Sequence, residues 1–179
     1  LRGRKTNLFE GGVRVPFIVR WPGHAPAGTK DEKTLISAVD LLPTLCAAAD
    51  VNLPSEYVGD GENLLASFEG NPTARTKPLF WKHYHVHKTD DAWAAWAMRE
   101  GPWKLLTDAT GQRVALYNVS TDRSEQTDLS GLNSEVVSRM KPRLMSWSRS
   151  LPISADPACT HKAQSDPISR TQGKPPTDK

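Results

Sequence analysis

The sequence predicts an α/β chain, and three stretches carry that prediction. Residues 13–21 form a β-branched, apolar run between the Gly11-Gly12 pair and Pro22-Gly23, the pattern of a buried strand bounded by tight backbone. Between residues 79 and 119, short aromatic and aliphatic segments alternate with Gly-containing turns, which reads as an antiparallel meander of four strands. A helix is then capped by Asn133 or Ser134 and runs to about residue 149. Its apolar side chains Val136, Met140 and Leu144, with Leu132 ahead of them and Val137 and Trp147 beside them, make one stripe for packing on the sheet.

The totals bound the class. A chain of 179 residues, 37% hydrophobic and with six tryptophans, is long enough for one packed domain or two small ones. A net charge of +3, dispersed along the chain, argues against a nucleic-acid partner. No run of 18 apolar residues exists, so no membrane-spanning helix is encoded. Cys46 and Cys159 are too few and too far from other ligands to form a metal pair, and their spacing does not require a bridge. The chain opens at Leu1 within a recognisable motif, so further sequence upstream is expected.

Taken in order, residues 1–12 are a cationic loop leading into the glycine pair. Gly11 and Gly12 allow positive φ, or a backbone approach that a Cβ would block. Lys5 on the loop, with Glu10 and Arg14 flanking the glycines, places three charges beside an ordered element. Arg14 is expected to pair with Glu10 and brace the turn. A Lys beside Arg2 and Arg4 near the start of the chain is by itself most often a solvated surface charge.

Residues 25–33 read as a surface loop and 34–38 as a short strand. Asp40 is expected to cap a helix over 41–49, with Pro43 harmless in its first turn. Residues 71–78, polar and with two prolines, are a candidate boundary. Strands are expected over 79–85, 93–99, 103–107 and 114–119, with Trp96 and Met98 on one face and Ala95 and Ala97 on the other. Pro142 removes a donor within the last helix, so a kink is expected there. After Leu151 the chain is rich in Pro, Ser, Thr and Lys and is expected to be a disordered tail.

Several of these segments resemble one family. Lys5, then Glu10-Gly11-Gly12-Val13-Arg14-Val15-Pro16 and Trp21-Pro22-Gly23, is similar to the second signature region of the type I, formylglycine-dependent sulfatases. Asp40-Leu41-Leu42-Pro43-Thr44-Leu45, Arg99 to Leu105, and Leu116-Tyr117-Asn118-Val119 resemble later segments of the same family. The resemblance implies the C-terminal part of an alkaline-phosphatase-like sulfatase fold. Residues 1–75 are then a remnant of the large α/β domain. Residues 76–151 are a small four-stranded antiparallel sheet with its packed helix, and 152–179 are the tail. It further implies hydrolysis of a sulfate ester, on a sulfated carbohydrate or an aryl sulfate, and export to periplasm, lysosome or exterior.

Lys5 stands at the family's sulfate-binding lysine. One ammonium can contact more than one oxygen of a sulfuryl group as charge builds in the transition state. The family also implies calcium and a formylglycine made from Cys or Ser in a Cys/Ser-x-Pro-x-Arg motif. Cys46 is followed by three alanines and Cys159 by Thr-His-Lys, so neither fits. The family's calcium ligands lie ahead of the Lys5 region. The isolated chain is therefore expected to turn over nothing, and no metal ligand is assigned in it.

His83, His85 and His87 alternate, which on a strand places them on one side. They read as structural or surface histidines, as substrate contacts, or as three ligands of a metal lacking a fourth. His83 and His85 are the candidate substrate contacts. Asn118-Val119-Ser120 matches the glycosylation pattern but falls within an expected strand. Two rival functions fit parts of the pattern. One is a phosphoester or phosphonate hydrolase of the same superfamily; the other is a non-catalytic glycan-binding module.

Overall fold

Four short strands pair in sequence order: β1 (Leu79–Lys82), β2 (Trp96–Glu100), β3 (Trp103–Thr107) and β4 (Val114–Asn118). The structure is a computed structural model that describes residues 1–83 and 93–152. Every pairing is antiparallel, and the two-residue link between β2 and β3 allows no other arrangement there. Register follows from the two-residue period. Met98 pairs with Leu105, and Leu105 with Leu116, on one face. Ala97 pairs with Leu106, and Leu106 with Ala115, on the other.

The first face is covered by α4 (Ser134–Ser150). Met140 and Leu144 are buried there against Met98, Leu105 and Leu116, with Val136, Val137 and Trp147 around them. Trp147 stacks on Phe80 of β1 at 5.0 Å between ring centroids. Each such side chain contributes about 1.5–3 kcal/mol by leaving water. At the rim, Glu100 of β2 receives Arg139 and Arg143, one helical turn apart on α4. The helix runs unbroken through Pro142. Leu132 lies ahead of it and is 83% exposed, so it is not part of the stripe. The helical period does not extend into the turn preceding Asn133.

The second face is covered by the start of the chain. Leu8 and Phe9 are buried against Ala97, Leu106, Ala115, Tyr117 and Val119, with Trp81 and Trp93 at the edges. The next turn is a one-turn helix, α1 (Glu10–Val13), in place of the onset of a strand.

Two expected strands do not form. Residues 14–20 are extended without pairing, with Val15, Phe17 and Ile18 at 73%, 48% and 89% exposure. Residues 34–37 are likewise unpaired. A strand requires a neighbour for its backbone N–H and C=O groups. Among the described residues none lies alongside either segment.

Residues 37–75 form a small unit around Asp40, which is fully buried. Asp40 does not cap α2 (Leu41–Ala48) with its side chain. It closes a capping box one turn earlier with Ser37, accepting that residue's N–H at 2.8 Å, at the end of a 3₁₀ turn, Ala38–Asp40. Its other carboxylate oxygen accepts the Glu62 N–H at 2.8 Å and the Arg75 guanidinium at 2.6 Å. Thr44 of α2 accepts the Leu64 N–H at 3.0 Å, just ahead of α3 (Leu65–Phe68). Asp40 thus ties three segments together, a structural role.

Candidate functional site

The loop that carries Lys5 is short and heavily constrained. A turn closes over Lys5 and Thr6: the Asn7 N–H donates to the Arg4 carbonyl at 3.0 Å, and the Asn7 side chain accepts the Arg4 N–H at 3.1 Å. Thr6 is held at φ +79°, a left-handed conformation that its branched Cβ disfavours. Such strain persists only where the surroundings over-determine it. Lys5 is exposed, and among the described residues it makes no hydrogen bond or ion pair.

The glycine pair explains how the loop folds back on α1. A Cβ on Gly11 would stand 2.4 Å from the Gly3 carbonyl oxygen, and one on Gly12 would stand 2.0 Å from that of Asn7. Of the two uses open to the glycines, close approach is the one realised. The Gly11 N–H closes the base of the loop on the Arg2 carbonyl at 2.7 Å.

Beneath the loop lies a buried ionic cluster. The Glu10 carboxylate is 2.9 Å from the Lys104 ammonium and 3.6 and 3.7 Å from the guanidiniums of Arg14 and Arg99. Lys104 also lies 3.0 Å from Glu125, whose second oxygen accepts the Glu10 backbone N–H at 2.6 Å. Both Lys104 and Glu125 are fully buried. Burial raises the Glu125 carboxyl above its ordinary value, and the Lys104 charge opposes this. Burial lowers the Arg99 guanidinium, and the Glu10 charge opposes this. Arg2 donates to the Tyr117 hydroxyl at 3.2 Å and the Glu125 carbonyl at 3.1 Å, with its guanidinium 4.1 Å from the centre of the Phe9 ring.

Lys104, Glu125, Arg2 and Arg99 were not singled out from the sequence. Lys104 had a readable signal, since it shares its strand face with Leu106, Ala97 and Ala115 and stands opposite Arg99 and Tyr117. A Lys on a strand face that faces the core needs a buried partner. Glu125 falls in Asp122-x-x-Glu125-x-x-Asp128-Leu129, a spacing that also resembles the family and reads as turn and cap positions, so its burial against Lys104 is visible only in the fold.

His83 follows β1 and is half-buried, its N–H donating to the Ala95 carbonyl at 3.0 Å. His85 and His87 lie outside the described residues, as do Cys159 and the 153–179 tail. Two clefts of about 590 and 520 Å³ flank residues 15–36; Glu10, Arg14, Trp81 and Arg99 line the smaller, and Lys5 lines neither. Among the described residues no group of three or more His, Cys, Asp or Glu side chains is placed to hold a metal ion. Cys46 is a half-buried free thiol in α2 without the formylglycine motif.

Residues 4–150 match the family described as N-sulphoglucosamine sulphohydrolase, C-terminal. The chain belongs to this sulfatase family. Among its relatives, the uncharacterized sulfatase YdeN of Escherichia coli K12 is 26% identical over 170 residues, spanning 78% of this chain and 30% of that protein. Human arylsulfatase A is 36% identical over 104 residues, covering 58% of this chain and 19% of the enzyme. In three dimensions the sulfatase chain is similar to Ps i-CgsB, with a TM-score of 0.70 and 31% identity over 83% of this chain and 32% of that one. The same protein has been solved in complex with k-i-k-neocarrahexaose, and that structure matches with a TM-score of 0.69 at 30% identity, over 82% of this chain and 31% of that one. The chain thus spans about a third of the length of these solved structures. The four-stranded sheet with α4 is part of the alkaline-phosphatase-like sulfatase fold. No helix among the described residues is long and apolar enough to cross a membrane.

Proposed function

We propose that this chain acts as the C-terminal portion of a sulfatase that cleaves sulfate esters from a sulfated carbohydrate, with Lys5 contacting the sulfate. The observation that carries the reading is the Lys5 turn. An exposed ammonium without a partner among the described residues sits beside a strained Thr6, on a loop whose base is clamped by hydrogen bonds and buried ions. A cation carried on a constrained backbone turn and left unneutralised suits the stabilising of a developing oxyanion. A sugar rather than a simple aryl group is supported by the relative solved with a neocarrahexaose.

On this reading the nucleophile and the calcium ligands come from sequence beyond this chain, and the chain alone is inactive. Residues 1–75 belong to the large α/β domain and 76–151 to the C-terminal subdomain. The exposed apolar stretch around Val15–Val19 is a strand that pairs once the rest of that domain is present. His83 and His85 contact the sugar, and Glu10 and Arg14 support the loop.

The test is Lys5→Ala in the complete enzyme. Loss of one oxyanion-stabilising group is expected to lower kcat/KM by about 10²–10³-fold with the melting temperature unchanged. An unaltered kcat/KM on a sulfated oligosaccharide would overturn the reading.

A further inference from the structure

Glu125 meets both ends of the Lys5 loop. Its carbonyl accepts the Arg2 guanidinium at 3.1 Å at the loop's entry, and its carboxylate accepts the Glu10 N–H at 2.6 Å at the exit. Lys104, on β3, joins the carboxylates of Glu10 and Glu125 at 2.9 and 3.0 Å. Glu125 itself adopts φ +51°, uncommon for a residue with a side chain.

Burying three charges is a poor way to gain stability, because desolvation offsets most of the attraction. What charged hydrogen bonds supply, and apolar contact does not, is direction. The cluster therefore sets the orientation of a loop more than it holds the sheet together. We infer that Lys104 and Glu125 are positioning residues for Lys5, fixing through Glu10 and Arg2 where its ammonium stands. The inference rests on the reading that Lys5 contacts the sulfate. It adds that this contact is set from β3 and from the turn after β4, residues more than ninety positions away.

The experiment is a double-mutant cycle in the complete enzyme, reading kcat and KM on a sulfated oligosaccharide for Lys5→Ala, Lys104→Met and the pair. A misplaced ammonium is expected to cost about 100-fold in kcat/KM for Lys104→Met. The same substitution placed on Lys5→Ala is expected to cost no more than about 3-fold, because the group being positioned is already gone. Equal losses in both backgrounds, or no loss in the first, overturn the inference. If Lys5→Ala alone leaves kcat/KM intact, the sulfate reading fails instead, so the two failures are distinguishable.

Should Lys104→Met not fold, Glu125→Gln and Glu125→Ala carry the cycle. Gln keeps an acceptor for the Glu10 N–H and is expected to retain most activity. Ala is expected to lose activity only in the background that has Lys5. Equal losses for Gln and Ala, or an Ala loss independent of Lys5, count against the inference.

Discussion

Under α4 the sheet offers Met98, Leu105 and Leu116 to Met140 and Leu144, and nothing charged lies between them. On its other side the same strands offer Ala97, Leu106 and Ala115 to Leu8 and Phe9, with Lys104 placed among them. The first face is closed by contacts without direction, and its charges, Glu100 with Arg139 and Arg143, stay at the wet rim. The second face carries its charges inside, where each requires a partner at a defined place. The difference teaches that one side of a small sheet can supply cohesion while the other supplies aim. The side that accepts the desolvation cost is the one that carries the Lys5 loop.

The comparison is broken hardest at Gly12. Gly12→Ala puts a Cβ within 2.0 Å of the Asn7 carbonyl oxygen, so loop and α1 must separate. A loss of about 4–5 kcal/mol is expected in urea unfolding, and in the complete enzyme sulfate-ester turnover is expected to fall with it. Near-native stability would mean the loop is not pressed on α1. Leu144→Ala tests the other face, where a cavity under α4 is expected to cost about 3 kcal/mol. Since α4 packs on the face of the sheet opposite Leu8 and Phe9, kcat/KM should be retained below the melting point. A fall in kcat/KM as large as that of Gly12→Ala would erase the distinction between the faces.

The smallest effect concerns pH. Burial raises the Glu125 carboxyl above its ordinary value of about 4.5, so the folded state holds this proton more tightly than the unfolded state does. Its contribution to stability is therefore complete below about pH 4.5 and is lost as pH rises through the raised value. Glu125→Gln is expected to flatten that part of the stability–pH curve. A curve parallel to that of the parent would show that Glu125 is ionised without penalty.

Much of this was legible in the residues. Strands β1 to β4 followed from alternation and Gly-containing turns, and α4 from its three-and-four spacing, because both patterns are local consequences of backbone geometry. Residues 13–21 carry the same kind of pattern and yet do not pair, since pairing depends on a neighbour and not on the segment itself. The glycine pair could be recognised as special, but its two possible uses could be separated only by seeing which carbonyls pass over it.

The sequence by itself determined the meander, the last helix and the membership in a sulfatase family, all properties of residue order and short-range period. Only the tertiary structure decided that Glu10 faces Lys104 and Glu125 rather than solvent, and that Arg2 reaches the turn after β4. Those contacts join residues about 95 to 125 positions apart. Buried ions are chosen by what surrounds them in space, and no spacing along a chain records that.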